Sequence, residues 1–528
     1  MESMKLLIEG HPFQYEMESL ARMFLEGRRI ETILLPQGSR LPEQDGLLKE
    51  EDWILTAVRE EEGKLRFLCN VRLDGRFSGA EESWEAEQES SYQAKAEDAS
   101  GGRPSRKERE RLLAVALYRA LSKHTGRVLP WGILTGIRPA KLVYSGREQG
   151  MTDGQIARFL EEKDLVSRLK VQLLLDTADR EEKILRLSGP LSYSLYVSIP
   201  FCPTRCSYCS FVSHSVDKAK KLIPEYVDLL CREIAETGRL VRDLGLRLET
   251  VYFGGGTPTT LSADQLDRLF RAIEESFDLS RLREYTVEAG RPDTITREKL
   301  VCLKSHGVGR ISINPQTFND RVLEGIGRRH TAAQTVESYE LARSVGFDTV
   351  NMDLIAGLAG DSLESFSRTV DRAMELRPEN ITLHTLTVKR ASRLAAENAG
   401  QNPEGLSRDN LVERMLDYGY SAFAQNCYYP YYLYRQKGTV ENLENVGFCQ
   451  PGHEGLYNVF IMSEVHSIIA VGAGGVTKLR QPGGDRIERI FNFKYPYEYI
   501  SRMDQILDRK KLVKTFYEPF QYTQFQNC

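Results

Sequence analysis

Residues 196–211 read YVSIPFCPTRCSYCSF, and this stretch decides how the chain is read. Its opening residues are a short apolar run stopped by Pro200, the pattern of a buried strand that ends in a loop. Cys202, Cys206 and Cys209 then follow within eight residues. A loop can wrap one compact iron–sulfur cubane with three such thiolates, the usual protein ligands of these clusters. Three ligands for four irons leave one iron open to a small molecule. A structural zinc site would want four N or S ligands, and the nearest further candidate here is His214. A single redox CxxC would need only Cys206 and Cys209. The additional Cys202, four residues earlier, favours the cluster.

Outward from this stretch, the chain alternates regularly. Strand-like runs occur at 194–199, 250–253, 284–288, 310–314, 349–355 and 380–385. Helical periodicity fills 219–243, 262–277, 296–306, 331–345 and 362–376 between them. Strands alternating with helices predict parallel βα units that close, wholly or in part, into a barrel. Function then belongs at the C-terminal ends of the strands, where the cysteine loop lies.

Other polar motifs fall at the same ends. VYFGGGTPT (251–259) follows the second strand. Gly254, Gly255 and Gly256 let the backbone approach a ligand and present bare N–H groups, with Thr257 beside them. Taken alone, the glycines make a tight βα turn; beside the cysteines they form a cofactor contact. Glu288 closes the third strand, as either a hydrogen-bond acceptor for a ligand or an exposed strand-end acid. Gln316, Arg328 and Asp353 are comparable polar residues near strand ends in otherwise apolar runs.

The flanks read differently. Residues 1–75 predict a small α+β module: strands at 4–8 and 30–36, a helix at 15–26 between them, and a strand pair at 53–59 and 65–72. Residues 76–105, rich in Glu, Ser and Gln, read as a polar linker. A helical connector follows over 106–190, with helices at 106–124, 152–162 and 167–187. The barrel is expected over 191–390. Residues 391–528 read as a separate C-terminal α+β subdomain on the substrate side, with a helix at 407–424, a Tyr-rich segment at 428–434, strands at 456–462 and 467–472, and a helix after Pro496.

Composition sets the class. The chain has 528 residues, 41% of them hydrophobic and 28% charged, with a formal charge of −4. That is a multidomain globular composition with no global basic surplus, so nucleic acid is not an expected partner. No signal peptide and no membrane span are read, and a cytoplasmic protein is expected. Of nine cysteines, six are scattered and read as buried or incidental thiols rather than a disulfide framework.

At these motifs the sequence resembles the oxygen-independent coproporphyrinogen III oxidase family of radical S-adenosylmethionine (SAM) proteins. The matching phrases are YVSIPFCPTRCSYCSF, YFGGGTPTTL, TVEAGRPDTIT, RISINPQTFND, GRRHT and NMDLIAGL, spanning about 193–360. LPWGILTGIRPAKL (129–142) and EGLYNVFIMSEVHSIIAVGAGGVTKL (454–479) are similar to its HemZ-like branch and extend the likeness over most of the chain. The resemblance implies a partial (β/α)6 radical SAM barrel and a 4Fe–4S cluster on Cys202, Cys206 and Cys209. It implies SAM contacts at Tyr196, Gly255, Gly256, Thr257, Glu288, Gln316, Arg328 and Asp353. The family's reaction turns two propionates of coproporphyrinogen III into vinyls, giving protoporphyrinogen IX. A 5′-deoxyadenosyl radical takes a β-hydrogen, CO2 leaves, and an acceptor takes the surplus electron; flavodoxin or ferredoxin is the expected kind of reductant.

A tetrapyrrole with four carboxylates calls for basic residues. Arg435, Lys437, Lys478 and Arg480 are the candidates, with the Tyr428–Tyr434 cluster as a flat wall or as core. Family oxidases often carry a further cysteine two positions after the third ligand. Ser210 and Phe211 stand here instead, an arrangement that also resembles the branch that binds and delivers haem. For that alternative His453 and His466 are the candidate haem ligands; another radical SAM reaction on a tetrapyrrole is a third possibility.

Overall fold

A computed structural model describes residues 3–25, 27–39, 51–61, 64–84, 103–209, 214–387, 410–436 and 438–524. The N-terminal module is a five-stranded sheet. Its strands are β1 (Ser3–Glu9), β2 (Arg29–Leu35), β3 (Trp53–Glu61), β4 (Lys64–Leu73) and β5 (Arg76–Trp84), in the order β2-β1-β3-β4-β5. Strand β5 corrects the expected linker at 76–105: polar residues alternate along it because only one of its faces packs, and it pairs antiparallel with β4 throughout. Residues 85–102 lie outside the described residues.

Helices α1 (Gln14–Phe24) and α2 (Arg106–Thr125) cover one face of this sheet. Leu112, Leu113, Leu117 and Leu121 of α2 share a core with Leu6, Met17, Leu20 and Phe67. The expected connector therefore divides. Its first helix belongs to the N-terminal module. Helices α3 (Ala140–Glu148), α4 (Asp153–Glu162) and α5 (Arg168–Leu185) share a core with barrel residues Leu354, Phe366 and Leu383.

The central sheet carries the site. Strands β6 (Ser192–Ile199), β7 (Arg247–Gly255), β8 (Glu284–Glu288), β9 (Arg310–Ser312), β10 (Thr349–Ala356) and β11 (Asn380–Thr385) lie side by side in chain order, all parallel. Helices α6 (Ile223–Asp243), α7 (Ala263–Ser276), α8 (Arg297–Ser305), α9 (Ala332–Val345) and α10 (Leu363–Leu376) return the chain between them. Each return helix turns an apolar stripe inward. On α7 it is Leu266, Leu269, Phe270 and Ile273, all fully buried, each contributing about 1.5–3 kcal/mol of apolar burial. Capping boxes at Ser262 and Thr331 start α7 and α9. Among the described residues β6 and β11 do not pair, so the barrel is open.

The expected boundary at 390 does not separate two sheets. β12 (Tyr429–Arg435) and β13 (Glu444–Cys449) extend the β11 edge, with β13 antiparallel to β11. β14 (Ser467–Val471) pairs parallel to β6 on the other edge, followed by β15 (Val476–Arg480) and β16 (Ile487–Phe491). α11 (Leu411–Gln425) precedes β12, and the last element among the described residues is α13 (Met503–Gln524). The strand expected at 456–462 is instead helix α12 (Leu456–Ser463). Both Glu284 oxygens accept its first backbone N–H groups, from Leu456 at 2.6 Å and Tyr457 at 3.3 Å. This cap comes from a barrel strand 172 residues away, and an anion there suits a helix N-terminus.

The end of β6 is held from two directions. Tyr226 of α6 donates to Ser198 O at 2.8 Å and accepts from Ala473 N at 2.9 Å, while Ser198 Oγ donates to Ala473 O at 2.7 Å. Glu233 of α6, fully buried, accepts from Gly472 N, Asn492 Nδ2 and Tyr499 OH at 2.6–2.8 Å and lies 3.1 Å from Lys510 Nζ. Gly472 has φ +91°, and a Cβ there would stand 2.4 Å from Ser198 O. Gly472→Ala is therefore expected to cost about 1–3 kcal/mol and to loosen the strand that feeds the cysteine loop. The checks are a lower urea midpoint and reduced iron content after anaerobic reconstitution; full iron and an unchanged midpoint would contradict the anchoring.

Candidate functional site

The cysteine loop is tied to two neighbours through backbone groups. Gly256 N donates to Ile199 O and Thr257 N to Phe201 O, both at 2.7 Å, zipping the glycine turn to the start of the loop. A Cβ on Gly256 would meet Phe201 O at 2.5 Å, and Gly255 sits at φ +107°, so both positions require glycine. On the far side Ser207 N donates to Ile326 O at 3.0 Å and Thr204 Oγ1 to Gly327 O at 2.9 Å, docking the loop on the GRRHT segment.

Cys202, Cys206 and Cys209 all line one cavity of about 400 Å³ at the C-terminal ends of the strands. Cys206 is buried and the other two are half-buried. Their sulfurs are surrounded by donors. Thr257 Oγ1 is 3.5 Å from Cys202 Sγ, and Arg291 Nη1 is 3.6 Å from Cys206 Sγ. Arg328 is held by the carbonyls of Asn314 (2.7 Å) and Gly290 (3.3 Å) and lies 3.3 Å from Tyr208 OH. Burial opposes its charge, yet Tyr208 and the Cys206 sulfur hold its proton more tightly than usual. Three thiols on one loop, facing a shared cavity among N–H and O–H donors, fit a thiolate-ligated, negatively charged cluster.

The cavity continues into the barrel. Glu288 at the end of β8 accepts from Tyr252 OH at 2.6 Å. Burial pushes Glu288 up to about 7, and nearby Asp353 adds to the shift. Asp353 behaves oppositely. Burial would raise it, but His384 and hydrogen bonds from Asn351 and Thr382 hold it below the usual carboxylate range; Asn351 Nδ2 lies 2.8 Å from Asp353 Oδ1. Gln316 takes a left-handed backbone, φ +67°. Its N–H donates to Asp353 O at 2.9 Å and its side-chain oxygen accepts from Tyr208 OH at 3.1 Å. Two carboxylates with opposed shifts, beside bare glycine amides, can receive a ligand carrying both hydroxyl and cationic groups.

Of the expected SAM contacts, Gly255, Gly256, Thr257, Glu288, Gln316, Arg328 and Asp353 line this cavity and Tyr196 does not. The Tyr196 ring stands one layer back, stacked on Tyr252 and Tyr457 with centroids 6.2 Å from each, because Gly254 leaves room only for these rings. On the C-terminal side, Tyr431, Tyr432 and Tyr434 line the cavity. Tyr432 lies flat over Gly447, where a Cβ would meet its ring at 1.8 Å, and stacks on Tyr434 with 8° between the planes. Tyr428 is core, donating to Pro378 O.

The expected basic clamp is not found among the described residues. Arg435 is buried, donating to Leu134 O and Asn442 O and lying 5.3 Å over the Trp131 ring. Lys478 pairs with Glu464 at 3.1 Å and Arg480 with Asp485 at 3.1 Å, and none of the three lines the cavity. Lys437, Ser210 and Phe211 lie outside the described residues. His466 is also corrected as a haem ligand: its ring nitrogens are each 2.8 Å from the hydroxyls of Ser188 and Ser194. His453 Nδ1 is 2.9 Å from Thr349 Oγ1, away from the cavity. Among the described residues the histidine that lines the cavity is His384, 3.9 Å from Asp353 Oδ1. Its strand-end place is the same signal that singled out Glu288, applied to the sixth strand. Arg291, in EAGRPD, carries that signal too.

Comparison with known proteins gives the same picture. The Radical SAM superfamily matches residues 196–373. The oxygen-independent coproporphyrinogen-III oxidase-like protein HemZ of Bacillus subtilis is 38% identical over 395 residues, covering 74% of this chain and 78% of its own. The haem chaperone HemW of Escherichia coli is 27% identical over 329 residues, covering 62% and 80%. Among solved structures, coproporphyrinogen III oxidase (HemN) from Escherichia coli matches at 24% identity with a TM-score of 0.49, over 61% of this chain and 71% of that one. With β6 to β11 forming the barrel and three thiols at its mouth, the chain belongs to the radical SAM superfamily, a class that uses a 4Fe–4S cluster and S-adenosylmethionine, and within it to the oxygen-independent coproporphyrinogen III oxidase family.

Proposed function

We propose that this protein oxidatively decarboxylates two propionates of coproporphyrinogen III to vinyls, yielding protoporphyrinogen IX in anaerobic haem biosynthesis, with a flavodoxin or ferredoxin as reductant. The observation that carries the reading is that one cavity joins the three thiols to the Tyr431–Tyr432–Tyr434 wall, in a chain akin to an oxidase-like protein over 395 residues.

In this reading Cys202, Cys206 and Cys209 hold the cluster, which with SAM supplies a hydrogen-abstracting carbon radical. Gly255, Gly256 and Thr257 bind the methionyl end through backbone and hydroxyl groups. Glu288 and Asp353 take the ribose hydroxyls and the cationic centre, and Gln316 and Arg328 set the cavity floor. The tyrosine wall orients a flat macrocycle and excludes water beside it. His384, paired with Asp353, stands where it can hold or pass a proton at the substrate edge. Tyr196 supports Tyr252 from behind.

A second reading, haem binding and delivery, is favoured by the likeness to haem chaperones rather than by the arginines of the cavity. Arg291, Arg310 and Arg328 all donate to protein acceptors.

Anaerobic incubation of the reconstituted protein with SAM, a strong reductant and coproporphyrinogen III is expected to give two successive decarboxylations by mass spectrometry, with 5′-deoxyadenosine. Cys206→Ala should lose both the cluster and SAM cleavage. Unaltered porphyrinogen together with a stoichiometric Soret band on haem addition would replace the oxidase with the chaperone.

Glu288 also sets a pH dependence. Its carboxyl titrates at about 7, so it is mostly neutral at pH 6 and mostly ionised at pH 8. SAM carries a sulfonium, and its affinity should rise roughly tenfold across that interval, following the ionised fraction. Equilibrium dialysis with labelled SAM measures it. Glu288→Gln should flatten the profile, and a profile that keeps its slope in this variant would remove Glu288 from the site.

A further inference from the structure

A second cluster of metal-ligand residues lies on the outer helices of the barrel. Cys302 is in the last turn of α8, and His306 caps that helix one turn further on. Positions four apart share a helix face. Helix α7 packs alongside and brings Asp267 against them. A carboxylate oxygen of Asp267, the Cys302 sulfur and a ring nitrogen of His306 lie within 4.8 Å of one another. None of the three lines the cavity that holds the cysteine loop.

We propose that Asp267, Cys302 and His306 form a binding site for a zinc-class divalent cation, with a fourth position left to water. Thiolate, imidazole and carboxylate together select a borderline divalent metal over calcium or magnesium. Ligand atoms around tetrahedral zinc stand about 3.3–3.8 Å apart, so Asp267 Oδ1 and His306 Nε2, 2.9 Å apart, would open slightly on binding, with the Cys302 sulfur within 4.8 Å of both.

Three features orient the groups of the site, beginning with the pairing of His306 to Asp267 and Glu274. His306 Nε2 faces Asp267 Oδ1 at 2.9 Å, while Nδ1 is 2.7 Å from Glu274 Oε1. A carboxylate on the second ring nitrogen is the partner that orients a metal-bound imidazole. The ring also packs against Phe270, with centroids 5.2 Å apart and the planes tilted by 31°, which restricts its rotation. Arg271 Nε holds Asp267 Oδ2 at 2.7 Å and leaves Oδ1 turned to the site.

The test uses the full-length protein with its iron–sulfur cluster reconstituted, so that Cys202, Cys206 and Cys209 are occupied by iron. After anaerobic equilibrium dialysis against zinc, elemental analysis should find one zinc per chain, and zinc-edge X-ray absorption should show one sulfur among lighter neighbours. Cys302→Ser, His306→Ala and the near-isosteric Asp267→Asn should each lose the zinc while keeping wild-type iron and the zinc-free Tm. Glu274→Gln should retain the site with about tenfold weaker affinity. Wild-type protein that retains no zinc would overturn the proposal. So would zinc undiminished in all three ligand variants, or a centre with two or more sulfur neighbours.

Discussion

Everything at the mouth of the barrel depends on keeping one carboxylate, Glu233, buried and fully paired. Its oxygens gather the Gly472 amide, the Asn492 amide group and the Tyr499 hydroxyl, with Lys510 at 3.1 Å. Burying such a charge is costly unless every lone pair is satisfied. The arrangement therefore holds four separate segments in register: α6, the β14–β15 turn, the residue that follows β16 and the C-terminal helices. Tyr226, two turns before Glu233, transmits that register to Ser198. Pro200 and the cysteine loop begin directly after it, so the loop inherits a fixed origin although it has little regular structure of its own.

The second constraint is chemical. A barrel interior lined by Glu284, Thr286, Glu288, Ser312, Asn351, Asp353 and Thr382 is unusually polar for a core. Its polar groups are satisfied largely by one another, and the two acids nearest the mouth are driven apart in proton affinity. Glu288, packed against Tyr252, gains affinity for a proton, while Asp353, beside His384, loses it. Such separation gives neighbouring carboxylates different roles at one pH. The site can then hold a hydroxyl-rich, partly cationic ligand without both walls carrying full charge.

Much of this is written in local pattern. The alternation of strands and helices from 192 to 385, the three thiols and the glycine turn are all short-range signals, and the strand-end rule located Glu288, Gln316 and Asp353. What escapes local pattern is set by distant partners. LYNVFIM over 456–462 is as apolar as a strand, and only Glu284 in a barrel strand makes it a helix. Arg435 looks like a free cation until Trp131 and the Leu134 carbonyl are brought to it by the N-terminal half of the chain. Tyr196 precedes the cysteines closely, but the missing Cβ at Gly254 admits its ring behind Tyr252 instead of beside the cavity. The polar composition of 76–84 hid a strand whose one packed face is too short to dominate the average.

The pairing of β6 with β14 also governs the order in which the molecule can be made. Ser198 and Ala473 are 275 residues apart in the chain, so the first barrel strand waits for nearly the whole polypeptide before its outer edge is covered. Contacts of such separation form late, because loop closure must precede the contacts that reward it. During synthesis the thiol loop therefore hangs from an edge strand whose hydrogen bonds are still unmade. A truncation that removes β14 would leave the cysteines intact in sequence yet without the framework that gathers them.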